Sequence, residues 1–226
     1  MIALSVTRRV LGLGLGLGVI LCLGSVAPAQ AAKPPQVTED GLELTKVKGV
    51  DLMYRRPGAT LTGYNKVMVD PVQVAFSKSW DPRDYGTYGL KASEVEKIRT
   101  ELGKLARDTF VKKLQEGGYP EAPAADEGVL RVTAYIVDLY VNAPDTMQAG
   151  RSRTYVANAG HMTLAVELRD AVTGTLLVRG FDRATASDTG RFQWSNSVMN
   201  RAEAERALSG WAKRLKEALD AAKQPG

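Results

Sequence analysis

Two amphipathic helical patterns, set among alternating segments, constrain the fold of this chain more than any other sequence feature. Apolar residues recur every three to five positions over 95–114 and 204–219, as in helices that bury one side. Apolar and polar residues alternate in four segments, which are 66–76, 129–141, 161–169 and 175–186. Such alternation is typical of strands that bury one face of a sheet. The sequence therefore predicts an α+β, two-layer domain with the order β-α-β-β-β-α.

We expect a mainly antiparallel sheet of about four strands, with both helices packed on one face. The segment 170–175 predicts a hairpin turn between the last two strands, because Gly174 supplies the positive φ that such turns need. Pro71 interrupts the first alternating segment and has no N–H to donate. It therefore predicts a bulge or an edge position.

Both ends of the first helix carry sequence signals. Ser93 and Glu96 have the spacing of a capping box, in which the hydroxyl accepts a backbone N–H and the carboxylate reaches back to the cap. Gly117 and Gly118 supply the left-handed backbone that ends helices. The second helix is expected over 198–222. The predicted buried faces include two leucines, Leu105 of the first helix and Leu164 of the third strand.

The first 31 residues have the pattern of an export signal. Arg8 and Arg9 form a positively charged start, an apolar stretch follows, and Ala29 and Ala31 provide the small residues of a peptidase site. The stretch is shorter and richer in glycine than a membrane span of about 20 strongly apolar residues. We therefore predict a signal peptide over 1–31 that is cleaved after Ala31, and a periplasmic protein.

Two other export routes stay open at this point. Cys22 is the residue that a bacterial lipoprotein signal would lipidate, giving an outer-membrane lipoprotein, but Leu21 stands where that signal needs a small residue. The stretch Thr-Arg-Arg-Val-Leu at 7–11 resembles a twin-arginine signal. We favour the general secretory route, because nothing in the remaining sequence looks like a cofactor site that must fold before export.

Removal of the signal changes the composition in two ways. Of the 30 Lys and Arg residues two leave with it, so that 28 face 25 acidic residues, a balance far less basic than in nucleic-acid-binding proteins. Cys22, the one cysteine of the sequence, leaves as well, which excludes disulfides, thiolate catalysis and cysteine metal sites. We expect no nucleic-acid partner and weak or absent membrane association.

The segment 32–60 separates the signal from the first alternating segment. It begins with Lys33, Pro34 and Pro35, which neither continue a helix nor pair well in a sheet, and it contains a few apolar residues. We predict a linker that continues as an extended segment over the surface, followed by one α+β domain over 61–222.

No residue pattern of the chain predicts catalysis, a cofactor or a metal site. His161 is the single histidine and lies on the polar side of its predicted strand without a nucleophile motif, so we expect an exposed, dispensable side chain. Asp70, Asp81 and Asp84 could form a carboxylate set for a hard cation, but their spacing matches no calcium loop and turn formation explains them equally well. We therefore predict no catalytic, cofactor-binding or metal-binding residue.

Aromatic and arginine side chains in the predicted loops are the candidates for contact with a partner. Trp80 and Trp194 lie in polar loop sequences, and Arg151 and Arg153 lie in the loop between two predicted strands. Such side chains concentrate at the centres of protein interfaces. Single aromatic rings also seal the ends of sheets, so both interpretations stay open for the two tryptophans.

Several stretches resemble one known family. Residues 49–52 (Gly-Val-Asp-Leu) and 61–72, with the core Gly-Tyr-Asn-Lys-Val-Met-Val-Asp-Pro, resemble the opening of the bacterial domain of unknown function 3313. The strand at 128–132 and the turn at 170–174 fit the same pattern. The resemblance implies a small envelope domain with a sheet backed by helices, in a family with many outer-membrane lipoproteins and no established activity. This chain departs from the lipoprotein members at Leu21, and no functional residue is carried over.

These observations predict an exported, non-enzymatic protein of the cell envelope that acts as a binding or accessory module. Its expected partner is another envelope protein or envelope component, and its candidate contact surfaces are strand edges, the helix-free sheet face and the arginine-containing loop. The alternative is an envelope hydrolase with a carboxylate or serine site. Two close carboxylates in a cleft would favour the hydrolase, and a flat surface with an apolar patch would favour binding.

Overall fold

The structure is a computed structural model that describes residues 33–84, 89–141, 155–156, 160–185, 193–194 and 197–223. The chain divides into two units, Met1–Pro34 and Pro35–Gly226, and every helix and strand given below belongs to the second unit. The predicted signal peptide lies outside the described residues, so its cleavage stays a prediction.

Nine strands and two α-helices follow one another in the described part of the chain. The strands are β1 (Glu43–Thr45), β2 (Leu52–Arg55), β3 (Lys66–Val69), β4 (Gln73–Phe76), β5 (Val129–Val141), β6 (Tyr155–Val156), β7 (Gly160–Asp170), β8 (Leu176–Thr185) and β9 (Gln193–Trp194). The α-helices are α1 (Ala92–Glu116) and α2 (Ser197–Lys223). A short 3₁₀ helix, Pro82–Asp84, lies between β4 and α1.

Seven of the strands form one mixed sheet with the order β1-β2-β8-β7-β5-β3, in which β4 also pairs with β5. Strands β3 and β4 run parallel to β5, and the other pairs of this sheet are antiparallel. Strands β6 and β9 form a separate two-stranded sheet. The α+β class and the two helices are therefore confirmed, whereas the expected sheet of about four mainly antiparallel strands was too small.

Two sequence features explain the larger sheet. Segment 32–60, expected to be a linker and an extended surface segment, contributes β1 and β2, whose three and four residues are too few to show clear alternation. Pro71 divides the first alternating segment into β3 and β4, whose strand partner in both cases is β5. The proline therefore lies at an edge of the sheet, as one of the two predictions had it, and does not mark a bulge within one strand. Helix α1 then carries the chain back to the end of the sheet where β3 began, so that β5 runs parallel to both.

The core lies between the sheet and the two α-helices. On β5, Leu130, Val132, Ala134 and Ile136 are buried and belong to one hydrophobic cluster with side chains of both helices. The fully or nearly fully buried helix members of this cluster are Ala106, Phe110 and Leu114 of α1 and Leu208, Trp211, Ala212 and Leu219 of α2. Leu164 of β7 is buried as predicted, whereas Leu105 of α1 is only half-buried at the margin of the cluster.

A polar contact fixes α2 to the sheet beside this core. The indole Nε1 of Trp211 donates to Asp182 Oδ2 of β8 at 2.6 Å, and Arg214 Nη2 donates to the same oxygen at 2.5 Å. The other oxygen, Oδ1, accepts the N–H of Asp51 at 3.2 Å. Because both carboxylate oxygens are bound, Asp182 connects β8, α2 and the start of β2.

Helix α1 begins earlier than the sequence predicts. Ala92 is its first residue, and Glu94 accepts the N–H of Lys91 through its carboxylate at 2.7 Å. The predicted Ser93–Glu96 capping box is therefore wrong, because the chain leaves extended backbone at Lys91, two residues before Ser93. The predicted end of the helix is confirmed, since α1 ends at Glu116 and Gly118 has a φ of 85°.

Turns and edge segments complete the sheet. The predicted hairpin turn between β7 and β8 is confirmed, with a φ of 70° at Gly174, whose N–H donates to the Asp170 carbonyl at 3.0 Å. At one end of the strand order, Leu44 of β1 donates to the carbonyl of Gln36 at 2.8 Å. At the other end, Val67 of β3 donates to the carbonyl of Pro120 at 3.0 Å. Backbone therefore pairs with the outer side of both terminal strands.

Candidate functional site

The side of the seven-stranded sheet that points away from the helices, here called the distal face, carries many of the polar side chains of the strands. On β5, four residues alternate with the buried ones and therefore face this side; they are Arg131, Thr133, Tyr135 and Val137. Cross-strand neighbours point to the same side of a sheet. Their partners on β7 and β8 therefore complete the distal face.

A band of arginines and carboxylates crosses the distal face. The strand register places Arg131 directly opposite Arg169 of β7, and it places Glu167 of β7 directly opposite Arg179 of β8. Each of these arginines contacts a carboxylate. We call this set the charged band, and its members are Asp40, Asp70, Arg131, Glu167, Arg169 and Arg179.

Glu167 is the centre of the charged band. Its Oε2 accepts a hydrogen bond from Arg169 Nη2 at 2.7 Å, and its Oε1 accepts one from Arg179 Nε at 2.8 Å. Burial alone would raise the pKa of Glu167, but the hydrogen bonds from the two arginines outweigh it and hold that pKa below its ordinary value. Arg179 also reaches Asp40 Oδ2 at 2.5 Å, so the network continues into the N-terminal segment.

Arg131 and Asp70 form the other end of the charged band. Arg131 Nε donates to Asp70 Oδ2 at 2.8 Å, and the hydroxyl of Thr133 donates to the same oxygen at 2.6 Å. The hydrogen bond to Asp70 raises the pKa of the Arg131 guanidinium. Asp70, considered above as a ligand for a hard cation, is instead bound by an arginine and a hydroxyl.

A row of less polar residues follows the charged band along the distal face. In this row Tyr135 of β5 lies opposite Ala165 of β7, and Ala165 lies opposite Phe181 of β8. Phe181 pairs in turn with Leu52 of β2 and packs against a small second cluster around the buried Leu42. The distal face therefore alternates between a charged and an apolar strip.

A bulge in β5 directs a third group of side chains to this face. The register shifts between Val137 and Tyr140, and Asp138 has a φ of 54°, a value that asparagine and aspartate tolerate best among residues with a side chain. Gly160 lies opposite the end of β5, where a Cβ atom would overlap the carbonyl oxygen of Tyr140. The bulge aims the Asp138 carboxylate at Arg183, whose Nη1 lies 3.0 Å from its Oδ2.

His161 belongs to the same group. Its ring stacks on Tyr140 with 5.3 Å between the centroids, and its Nε2 lies 3.5 Å from Asp138 Oδ2. Burial and the charge of Arg183 lower the pKa of His161, against the opposing effect of Asp138. The side chain is half-buried and in contact with its neighbours, so it is less exposed than the sequence predicts.

The structure describes the four predicted partner-contact residues unequally. Trp80 is buried: its ring stacks on Phe76 with 4.1 Å between the centroids, and its Nε1 donates to the carbonyl of Val141 at 3.1 Å. Trp194 pairs through its backbone with Tyr155, and its side chain is not among those described. Arg151 and Arg153 lie outside the described residues. The structure therefore does not bring these four side chains together into a described site.

The charged band was missed by the reasoning from sequence, although part of its signal was present. The alternation within 129–141 and 161–169 puts Arg131, Glu167 and Arg169 on the polar sides of their strands, but their mutual positions depend on the register between strands. Nothing in the sequence indicated that Asp138 would belong to this face, because its positive φ arises from the bulge in β5. The arrangement offers charged groups in fixed positions, because both oxygens of its central carboxylate accept hydrogen bonds from arginines.

The described residues contain no group of three or more His, Cys, Asp or Glu side chains that could hold a metal ion. Asp81, the second of the three carboxylates considered as cation ligands, accepts hydrogen bonds from Arg83, and these bonds lower the pKa of Asp81 to about 2. In the same part of the chain, no helix is long and apolar enough to cross a membrane.

Comparison with solved structures finds similar chains of low sequence identity. A PelC dodecamer from Paraburkholderia phytofirmans is 16% identical, over 70% of this chain and 93% of that chain, with a TM-score of 0.33. A candidate lipoprotein from Caulobacter crescentus is 16% identical, over 74% and 98% of the two chains, with a TM-score of 0.36. Protein XCC0632 from Xanthomonas campestris is 12% identical, over 66% and 80%, with a TM-score of 0.36.

Comparison with curated protein sequences finds no match. The family described as "Protein of unknown function (DUF3313)" matches residues 38–215, a range that extends from the N-terminal segment before β1 into α2. This range contains the whole charged band and the bulge of β5. The expected resemblance is thereby confirmed, and the chain belongs to the DUF3313 family of proteins of unknown function.

Proposed function

We propose that this protein is an exported, non-enzymatic component of the bacterial cell envelope that binds a partner through the distal face of its sheet. The supporting observation is the geometry of Glu167, whose two carboxylate oxygens each accept a hydrogen bond from an arginine, and these bonds lower its pKa. A carboxyl group that acts as a general acid needs the opposite, a raised pKa. A fixed, ionised network is what electrostatic recognition requires.

The backbone pairing on the outer sides of β1 and β3 favours the face over strand addition at these two strands. The outer sides of β1 and β3 already pair with the backbone of Gln36 and Pro120. A partner that adds a strand needs unpaired N–H and C=O groups at an edge. The distal face instead presents side chains, among them arginine and tyrosine, which are enriched at the centres of protein interfaces.

Export follows from the sequence of the first 31 residues and is part of the proposal. The chain from Ala32 onward, including β1 and β2, would then form the mature periplasmic protein. N-terminal sequencing of the exported form tests this, and the expected first residue is Ala32. A lipid-modified Cys22 in a membrane fraction would instead support an outer-membrane lipoprotein.

Site-directed photo-cross-linking in intact cells tests the binding role. A photoreactive phenylalanine derivative replaces Tyr135 on the distal face or, as the control, Lys97 on the outer surface of α1, which is 66% exposed. We expect a defined adduct from position 135 and none from position 97. Equal labelling from both positions, or no adduct from 135 in a protein that folds normally, contradicts the proposal.

An envelope hydrolase is the second candidate, and one contact favours it. His161 Nε2 faces Asp138 Oδ2 at 3.5 Å, and its lowered pKa would leave a neutral imidazole at neutral pH. Arg183 competes for the same carboxylate oxygen at 3.0 Å. Complementation of a deletion strain by His161→Ala separates the two functions: we expect full complementation, and loss of function with normal folding would favour the hydrolase.

A further inference from the structure

The charged band turns two of its arginines, Arg131 and Arg169, toward solvent and keeps the carboxylates that they bind below them. The Arg131 side chain is 48% exposed, whereas that of Asp70 is 17% exposed. Arg169 is 33% exposed and Glu167 is 19% exposed. Asp40, at the end of the band, is the carboxylate that reaches solvent more freely. Arg179, the partner of Asp40, is 24% exposed. The cationic part of the outer layer therefore lies at Arg131 and Arg169, although the three arginines and three carboxylates of the band balance in formal charge.

The contact of Arg131 with Asp70 uses only part of its guanidinium group. It binds Asp70 through Nε, and its two terminal nitrogens have no hydrogen-bond partner within the described ranges. Arg169, directly opposite, uses Nη2 for Glu167 and Nη1 for the carbonyl of Gly174. Like charges directly opposite on one face of a sheet repel. A further anionic group beside Arg131 would offset this repulsion and fill the unused guanidinium donors, whose geometry fits a carboxylate.

The surroundings of the band favour a protein as the source of that anionic group. Tyr135 lies on the same face, four residues along β5 from Arg131, and tyrosine and arginine together are typical of interface centres. In the described residues, the exposed large apolar side chains are Val37, Val47 and Val172, and none of them belongs to a strand of the sheet. A surface that docks on lipid needs exposed apolar side chains, so the distal face fits a membrane less well.

We propose that the charged band binds a carboxylate-rich segment of a partner protein, with Arg131 as its principal contact. This inference rests on the proposed function, because it gives the chemistry of the partner for the same distal face. The recessed carboxylates then hold the guanidinium groups in place, and the unused N–H groups of Arg131 bind the incoming acid.

Binding of labelled poly-L-glutamate to the protein isolated from cells that express the full sequence provides the test. We expect an affinity that falls as salt concentration rises, and Arg131→Gln should weaken it about tenfold because a charge-assisted hydrogen-bonded pair is lost. The matched control is Arg201→Gln on α2, where the arginine is 63% exposed and pairs with Glu205. This control should leave the affinity unchanged.

A second variant separates contact from structural support. Asp70→Asn removes the negative charge that competes for Arg131 but keeps a side-chain oxygen that can accept its hydrogen bond and hold the guanidinium in place. This variant should therefore tighten binding about twofold to threefold. If Arg131 acted only by supporting the sheet, both variants would weaken binding through misfolding. Thermal unfolding of each variant shows whether the fold is retained.

The outcomes of these experiments separate the possible sources of the anion, and they separate failure of this inference from failure of the proposed function. Absence of binding, or equal effects of Arg131→Gln and Arg201→Gln, overturns the inference while adducts from position 135 would still support the proposed function. Tighter, Arg131-dependent binding of polygalacturonate or of phosphatidylglycerol vesicles also overturns it, in favour of a glycan or a membrane. Loss of the adducts from position 135 overturns the proposed function itself.

Discussion

The outer surfaces of the two α-helices and the distal face of the sheet both carry many ion pairs, but the pairs are built differently. On α1, Lys104 and Asp108 lie four residues apart, and their side chains are 75% and 52% exposed. On the distal face, Arg131 and Asp70 lie 61 positions apart, and the carboxylate is largely covered. The helical pairs therefore form wherever a helix forms, whereas the distal pairs that join different strands require the assembled sheet.

This difference separates two uses of charge. Exposed pairs within a helix contribute little to stability because both groups are well solvated in either state. Pairs between strands fix long side chains in one arrangement, and that arrangement is what a partner can recognise. Charge on the distal face is therefore held in a fixed arrangement, whereas charge on the helices is not.

The largest effect is expected at the carboxylate that joins sheet and helix. Asp182→Ala leaves the Trp211 indole and Arg214 without their shared acceptor, and the free energy of unfolding should fall by about 2–4 kcal/mol. Denaturant unfolding measures this. The matched control on the outer surface of α2, Glu217→Ala, should change it by less than about 0.5 kcal/mol. Similar values for the two variants would remove the distinction between covered and exposed carboxylates.

A smaller loss is expected at the centre of the charged band. Glu167→Ala leaves Arg169 and Arg179 side by side without their common carboxylate, and the free energy of unfolding should fall by about 1–2 kcal/mol. The same denaturant measurement applies, with Glu101→Ala on α1 as the exposed counterpart. An unchanged midpoint for Glu167→Ala would show that the distal network is no stronger than a helical pair.

The contribution of Glu167 should also depend on pH with a definite sign. Its pKa is below the ordinary value of 4.5 in the folded protein, so the unfolded chain binds its proton first as the pH falls. The stabilisation is then complete above pH 4.5 and disappears as the pH falls through the folded pKa. Unfolding of the wild type and of Glu167→Gln at several pH values measures it: the gap between them should close on the acid side. A gap that widens there would contradict the lowered pKa.

The smallest effect is expected for a pair on the helix surface. Asp108→Ala on α1 breaks the contact with Lys104, and the free energy of unfolding should change by less than about 0.5 kcal/mol. High salt screens the ion pair, so this small difference in the free energy of unfolding should then become unmeasurable. A loss above about 1 kcal/mol, as large as that expected for Glu167→Ala, would contradict the distinction between exposed helical pairs and pairs on the distal face.

The elements with strong periodicity were predictable from sequence, and the pairings between them were not. Alternation identified β5, β7 and β8, and the apolar stripes identified both helices. Strands β1 and β2 were not predicted, because three or four residues show too little alternation. The parallel pairing of β3 and β4 with β5 was not predicted either, because it depends on the path of α1.

The candidate site shows the same limit. The polar sides of β5 and β7 placed Arg131, Glu167 and Arg169 on one face, but only the register sets Arg131 opposite Arg169 and Glu167 opposite Arg179. Asp40 joins the band from a segment expected to be an extended surface connection. The composition of a face can thus be deduced locally, whereas its contacts are fixed by long-range pairing.

The pairing of β2 with β8 has a consequence for how the chain reaches its native state. The backbone N–H of Asp51 donates to the carboxylate of Asp182, 131 positions later. The N-terminal strands can therefore dock on β8 only after most of the domain has been synthesised. Contacts between such distant positions require closure of a long loop and slow the folding reaction. Until β2 arrives, β8 remains an open edge that other chains can pair with. Folding of this protein therefore passes through an interval of exposure to aggregation, which ends when its own first strands close the sheet.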